Sequence, residues 1–143
     1  MVSLETAKKL ILDSSIIIKH LRKKKEETLL IQELETRAKL ATTVINAFET
    51  YYGAYRFGDV RRNLAAAKGF LSTLELLVMD EVSAEIAGQT IAELRSKGQA
   101  IDIRDLFVGC IAIRNGFTVL THNKQHFQRI PKLHVITPTE LKS

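Results

Sequence analysis

Leu10-Ile11-Leu12-Asp13-Ser14-Ser15 decides how the rest of the chain is read: three apolar residues end in a carboxylate and two hydroxyls. A short apolar run bounded by polar residues is the pattern of a strand buried on both faces, as in a parallel sheet covered by helices. Thr118-Val119-Leu120-Thr121-His122-Asn123 repeats it near the other end of the chain, with an amide in place of the acid. With the first strand at 10–13 and another at 117–121, further short strands are read at 39–42, 76–79 and 133–136. Helical spacing fills the intervals. One segment covers about 16–21, and a second, about 26–37, carries Leu29, Leu30 and Leu34. Thr43 is placed to cap a helix with Val44, Phe48, Tyr52 and Tyr55 on one stripe. A helix over about 59–74 follows, then one that Ser83 can cap and Gly98 stops. Asp102 is placed to cap a helix that Gly116 ends, and a short helical turn covers 124–127. Thr137-Pro138-Thr139-Glu140 matches a capping box with proline at the first helical position.

This alternation predicts an α/β protein: a three-layer α/β/α fold around a central, mostly parallel five-stranded sheet, with residues 1–143 forming one domain. A hydrophobic fraction of 45% and a charged fraction of 26% are globular values and exclude a disordered or collagen-like chain. No apolar run approaches the length of a membrane span and no signal-peptide pattern is read, so no membrane partner and a cytoplasmic location are expected. Cys110 is the only cysteine, so no intramolecular disulfide forms; its apolar neighbours mark it as a small buried hydrophobe.

In parallel α/β sheets ligands gather at the carboxyl ends of the strands. Asp13 stands there directly. Glu49 lies in the first turns of a helix that leaves a strand, Asp105 in the first turn of a helix that precedes a strand and so runs back to the same edge, and Asn123 just past the last of these strands. Oxygen ligands brought together at one edge repel one another unless a cation bridges them, which points to Mg²⁺ or Mn²⁺ and to phosphate chemistry. A net charge of +5 around such an acidic pocket suits a polyanionic substrate, drawn in by cations while the carboxylates hold the metal.

At these residues the sequence resembles the PIN-domain ribonucleases, in particular the VapC-type toxins of toxin-antitoxin systems. The resemblance rests on Leu10 to Ser15, Asn46-Ala47-Phe48-Glu49, Gly98 to Asp105, and Thr121-His122-Asn123 followed by His126-Phe127 and Ile130-Pro131-Lys132-Leu133. It implies a PIN-like fold and a Mg²⁺- or Mn²⁺-dependent endoribonuclease that hydrolyses RNA. Asp13, Glu49 and Asp105 match the family's acidic metal-binding and catalytic positions, and Asn123 matches a fourth place that is often Asp. Ser15 and Thr121 match hydroxyl or amide positions that orient the site. Asp102 is read as a helix cap with a possible supporting role. The resemblance also implies a homodimer and a cognate VapB-like antitoxin.

A nuclease for RNA processing and a noncatalytic RNA-binding module share this fold and remain alternatives. A receiver-like domain would place paired acids near the first strand, and a haloacid-dehalogenase-type phosphatase would need an acid where Ser15 stands. Arg56, Arg61 and Arg62, after the Glu49 helix, are candidates for RNA phosphate; the run Lys23-Lys24-Lys25 is either that or a solvated end. Phe48, Tyr52 and Tyr55 share a helical stripe, which favours packing, as at a dimer interface, over base stacking. His122 and His126, without a third close ligand, do not suggest a zinc site.

Overall fold

The computed structural model describes residues 2–3 and 8–142. Its main sheet has five strands, β2 (Lys9–Leu12), β3 (Lys39–Thr43), β4 (Glu75–Leu77), β5 (Thr118–Leu120) and β6 (Val135–Ile136), in the order β4-β3-β2-β5-β6. Every pairing is parallel, so the expectation of a mostly parallel sheet is met in full. A second parallel pair joins β1 (Val2–Ser3) to β7 (Leu141–Lys142).

The apolar runs work because both faces of the central strands are covered. Leu10, Leu12 and Leu120 point to one side, where they meet Ile16 and Ile17 of α1 (Ser14–Leu21), Ile31 and Leu34 of α2 (Lys25–Glu35) and Ala47 of α3 (Val44–Arg56). Ile11, Ala41 and Val119 point to the other, against Val108, Ile111 and Ala112 of α6 (Ile103–Asn115) and Phe127 of α7 (Lys124–Phe127). The register Ile11 to Val119 and Leu12 to Leu120 keeps the two sets apart. Each fully buried Leu or Ile contributes about 1.5–3 kcal/mol. α4 (Val60–Leu71) packs beside α3, and α5 (Glu81–Ser96) beside α6, where Cys110 is fully buried. Among the described residues no helix is long and apolar enough to cross a membrane.

Several local expectations change. Asp80, not Ser83, caps α5: its Oδ1 accepts from both the Ser83 backbone N–H and the Ser83 hydroxyl at 2.8 Å, so the helix starts earlier and Ser83 is buried inside it. The capping box at the carboxyl end closes, with Thr137 N–H donating to Glu140 Oε1 at 3.0 Å and Glu140 N–H to Thr137 Oγ1 at 3.2 Å, yet no helix follows. Lys124 holds the Glu140 carboxylate and the chain turns into β7, where buried Leu141 joins the core. The aromatic stripe of α3 does not pack inside the chain. Asn46, Ala47, Thr50 and Ala54 are buried, and Phe48, Tyr52 and Tyr55 are 58%, 55% and 62% exposed, because small inner residues let the helix lie close to its neighbours.

The order of strands also places the site. β3 and β5 flank β2 on opposite sides, so the chain leaves the centre of the sheet in both directions and opens a crevice at its carboxyl edge.

Candidate active site

Asp13 ends β2 and occupies the N-cap position of α1, but its carboxylate makes no cap bond. The side chain is instead almost buried, at 7% exposure, and serves only as an acceptor. Oδ1 receives the Asn46 amide at 3.0 Å; Oδ2 receives the hydroxyls of Thr121 at 2.7 Å and Ser15 at 3.2 Å. These donors come from α3, the end of β5 and α1, so the carboxylate ties three elements together.

Glu49 sits in the second turn of α3, and the Ser14 hydroxyl donates to its Oε1 at 2.8 Å. Burial, opposed by that hydrogen bond, pushes its carboxyl above the usual range, and the charge of Asp13 adds to the rise. Asp105 stands in the first turn of α6, whose N-cap Asp102 accepts from Arg104 N–H at 2.8 Å. Burial, followed by the charges of Asp102 and Asp13, pushes the Asp105 carboxyl up to about 6. Asp102 behaves oppositely: held chiefly by hydrogen bonds from the Arg104 side chain, it stays below the ordinary carboxylate range. Asn123 is positioned through its backbone, whose N–H donates to Thr121 Oγ1 at 2.9 Å.

Asp13, Glu49, Asp102, Asp105 and Asn123, with Ser14 and Ser15, line one open cleft of about 710 Å³ at the carboxyl edge of the sheet. Thr121 stands beneath it, bonded to Asp13. The seven residues expected at the metal site, Asp13, Ser15, Glu49, Asp102, Asp105, Thr121 and Asn123, are thus brought to one place or held directly against it, and Ser14 joins them.

Whether this donor set fits a divalent cation can be judged from its chemistry. Every candidate ligand is oxygen, as Mg²⁺ and Mn²⁺ prefer, and the burial and, after it, the neighbouring negative charge that raise Asp105 and Glu49 are what a bound cation would offset. As arranged among the described residues, no three Asp, Glu, His or Cys side chains converge closely enough to chelate one. The cause is visible in the pairings: Glu49 Oε2 lies 3.6 Å from Arg104 Nη1, and Asp105 Oδ2 lies 3.6 Å from His126 Nδ1. The residues fit the cation in type and location, with Glu49 turned to Arg104 and Asp105 to His126.

Asn46, Arg104 and His126 were not singled out as site residues by sequence reasoning. Asn46 is fully buried, and three residues after Thr43 it reads as half of a capping box, which it is; nothing local signals that its amide also reaches Asp13. Arg56, Arg61 and Arg62 do not line the cleft. Arg56 lies over the rings of Tyr52 and Phe57, 5.1 and 4.7 Å from their centroids, about 10 Å along α3 from Glu49 at 1.5 Å per residue. His122 and His126 diverge, the first to Glu27 Oε1 at 3.5 Å and the second to Asp105.

Residues 10–133 match the model of the PIN domain family. The chain belongs to the PIN-domain family. Its PIN segment contains every acidic residue of the cleft. The chain is 33% identical over 127 residues to the tRNA(fMet)-specific endonuclease VapC of Salmonella typhimurium, covering 89% of this chain and 96% of that one. It is 29% identical over 122 residues to ribonuclease VapC2 of Haemophilus influenzae, with coverage of 85% and 92%. The PIN fold superposes on a crystal structure of DNA-bound VapBC from Salmonella typhimurium with a TM-score of 0.82 and 30% identity, over 91% of this chain and 98% of that one.

Proposed function

We propose that this PIN-domain protein is a Mg²⁺- or Mn²⁺-dependent endoribonuclease, the toxin of a VapBC-type pair, acting in the cytoplasm and restrained by a cognate VapB-like antitoxin. The observation that carries this reading is the meeting of Asp13, Glu49, Asp105 and Asn123 in one cleft, in a chain that aligns almost end to end with relatives named as ribonucleases.

Each residue has a part. Asp13, fixed by three donors, is the rigid anchor for a metal. Asp105 and Glu49 complete the acidic set, with Ser14 setting the Glu49 carboxylate, and Asn123 offers an amide oxygen without charge. When bound, the cation would supply an activated water and neutralise charge at the scissile phosphate. The basic surface, with Arg56, Arg61 and Arg62 beyond the cleft, would attract the RNA backbone. The exposed Phe48, Tyr52 and Tyr55 support a homodimer, since an aromatic stripe on one helix face is costly to leave in water; light scattering on the purified protein tests this.

The activity is tested by incubating the protein with a panel of cellular RNAs in Mg²⁺, Mn²⁺ or EDTA and mapping the new ends. Discrete cleavage lost in EDTA and in Asp13→Asn is expected. Cleavage that is indifferent to both would end the proposal.

A further inference from the structure

Arg104 occupies an unusual place for a cation: it is the residue before Asp105, inside the rim of the acidic cleft. Its guanidinium grips Asp102 with two bonds, Nε to Oδ1 at 3.2 Å and Nη2 to Oδ2 at 3.1 Å. The remaining nitrogen, Nη1, reaches across the cleft to Glu49 Oε2 at 3.6 Å. The two attachments differ in strength. The fork on Asp102 is bidentate and of hydrogen-bond length, and the contact with Glu49 is longer than a hydrogen bond. The side chain is half exposed, at 52%, so its end is accessible to solvent and to a substrate.

We propose that Arg104 is a resident counter-cation of the metal-free cleft and that, once a divalent cation takes the carboxylates, it turns its free edge from Glu49 to a phosphate of the RNA. This rests on the metal-dependent reading above. Three points carry it. A guanidinium on Glu49 and a divalent cation compete for the same carboxylate and repel each other across a few ångströms. The two bonds to Asp102, the N-cap of α6, do not involve Glu49, so releasing Glu49 does not release Arg104 from the cleft. A guanidinium so held presents planar N–H donors that match the nonbridging oxygens of a phosphate, a geometry lysine lacks. Arg104 is therefore a substrate-positioning residue as well as a competitor of the metal.

The test uses Arg104→Gln and Arg104→Lys with the full chain. Mn²⁺ titrated calorimetrically without RNA should bind Arg104→Gln several-fold more tightly than the parent, and Arg104→Lys should fall between. With saturating Mn²⁺, Arg104→Gln should raise KM for a short single-stranded RNA about tenfold, and Arg104→Lys should restore less than half of that loss. A purely structural brace at the α6 cap would lower the melting temperature of Arg104→Gln and leave its Mn²⁺ affinity at the parent value; that result overturns the counter-cation role. An unchanged KM overturns the phosphate contact. Failure of the parent itself to bind Mn²⁺ overturns the metal reading, and the proposal with it.

Discussion

Asn46 and Asp13, thirty-three positions apart, are joined inside the protein by a 3.0 Å hydrogen bond from the buried amide to the carboxylate Oδ1. The same amide nitrogen reaches Ser14 Oγ at 3.0 Å, and its oxygen accepts from the Thr43 hydroxyl at 2.8 Å. One side chain thus couples the cap of α3 to the end of β2. Asn46→Ala leaves a buried carboxylate oxygen and a buried hydroxyl short of partners, at about 1–3 kcal/mol. Urea unfolding should show that loss together with a fall in kcat; a variant as stable as the parent would remove Asn46 from the support of Asp13.

Asp13→Asn and Asp105→Asn should both abolish RNA cleavage while the fold persists, yet they should separate in stability. At position 13 an amide presents N–H to a site built from donors, costing about 1–2 kcal/mol. At position 105 it removes a charge crowded by Asp102, Asp13 and Glu49, and the metal-free protein should gain about 1–2 kcal/mol at pH 7. Equal melting curves for the two variants would contradict this account, and parent-like cleavage by either would dismiss that residue as a ligand.

The pH response follows from Asp105. Its carboxyl, pushed up to about 6 in the fold, holds its proton more tightly than in the unfolded chain, where the ordinary value is 3.8. Its stabilising contribution is therefore complete below about pH 4, falls as pH rises from about 4 to 6, and is constant above. Asp105→Asn should flatten the unfolding profile in that window. A metal must displace the same proton, so Mn²⁺ affinity should weaken roughly tenfold per unit below about pH 6; calorimetry at several pH values measures it, and a flat affinity from pH 5 to 7 would refute it.

Asn123→Asp should tighten Mn²⁺ binding, since it adds a fourth charge to an oxygen site, and Asn123→Ala should weaken it by removing the amide oxygen. Circular dichroism should find both folded, because the Asn123 side chain makes no cap bond and only its backbone is tied to Thr121. Identical affinities in all three proteins would take Asn123 out of the metal's surroundings.

RNA binding should weaken with salt by about 0.7 log units per phosphate contact per decade of salt. Replacing Arg61 and Arg62 together by Ala should reduce that slope by about 1.4 if each meets one phosphate. Fluorescence anisotropy of single-stranded RNA in the Asp13→Asn background reads it directly, and an unchanged slope would place the basic path elsewhere.

The layered fold and the acidic positions were legible in the residues because both follow from short-range pattern. Leu10-Ile11-Leu12, bounded by polar residues, reads as a strand covered on two sides, and a helix that precedes a parallel strand must bring its first turn, hence Asp105, to the carboxyl edge. Thr43 and Asp102 start their helices and Gly116 ends one as their types dictate, the last with φ of 72° that glycine adopts without strain. What tertiary structure alone decided is which polar partners meet. Ser83 and the Thr137–Glu140 box carry real local preferences, but Asp80 took the first and the pairing of β7 with β1 overrode the second. The aromatic stripe of α3 obeys helical spacing, yet spacing fixes only that its members share a face; the packing of small residues opposite decided that this face meets water. In the same way the sequence places Arg104 beside Asp105, but its grip on Asp102 and its reach to Glu49, fifty-five positions away, exist only because separate helices bring their ends to one edge of a sheet.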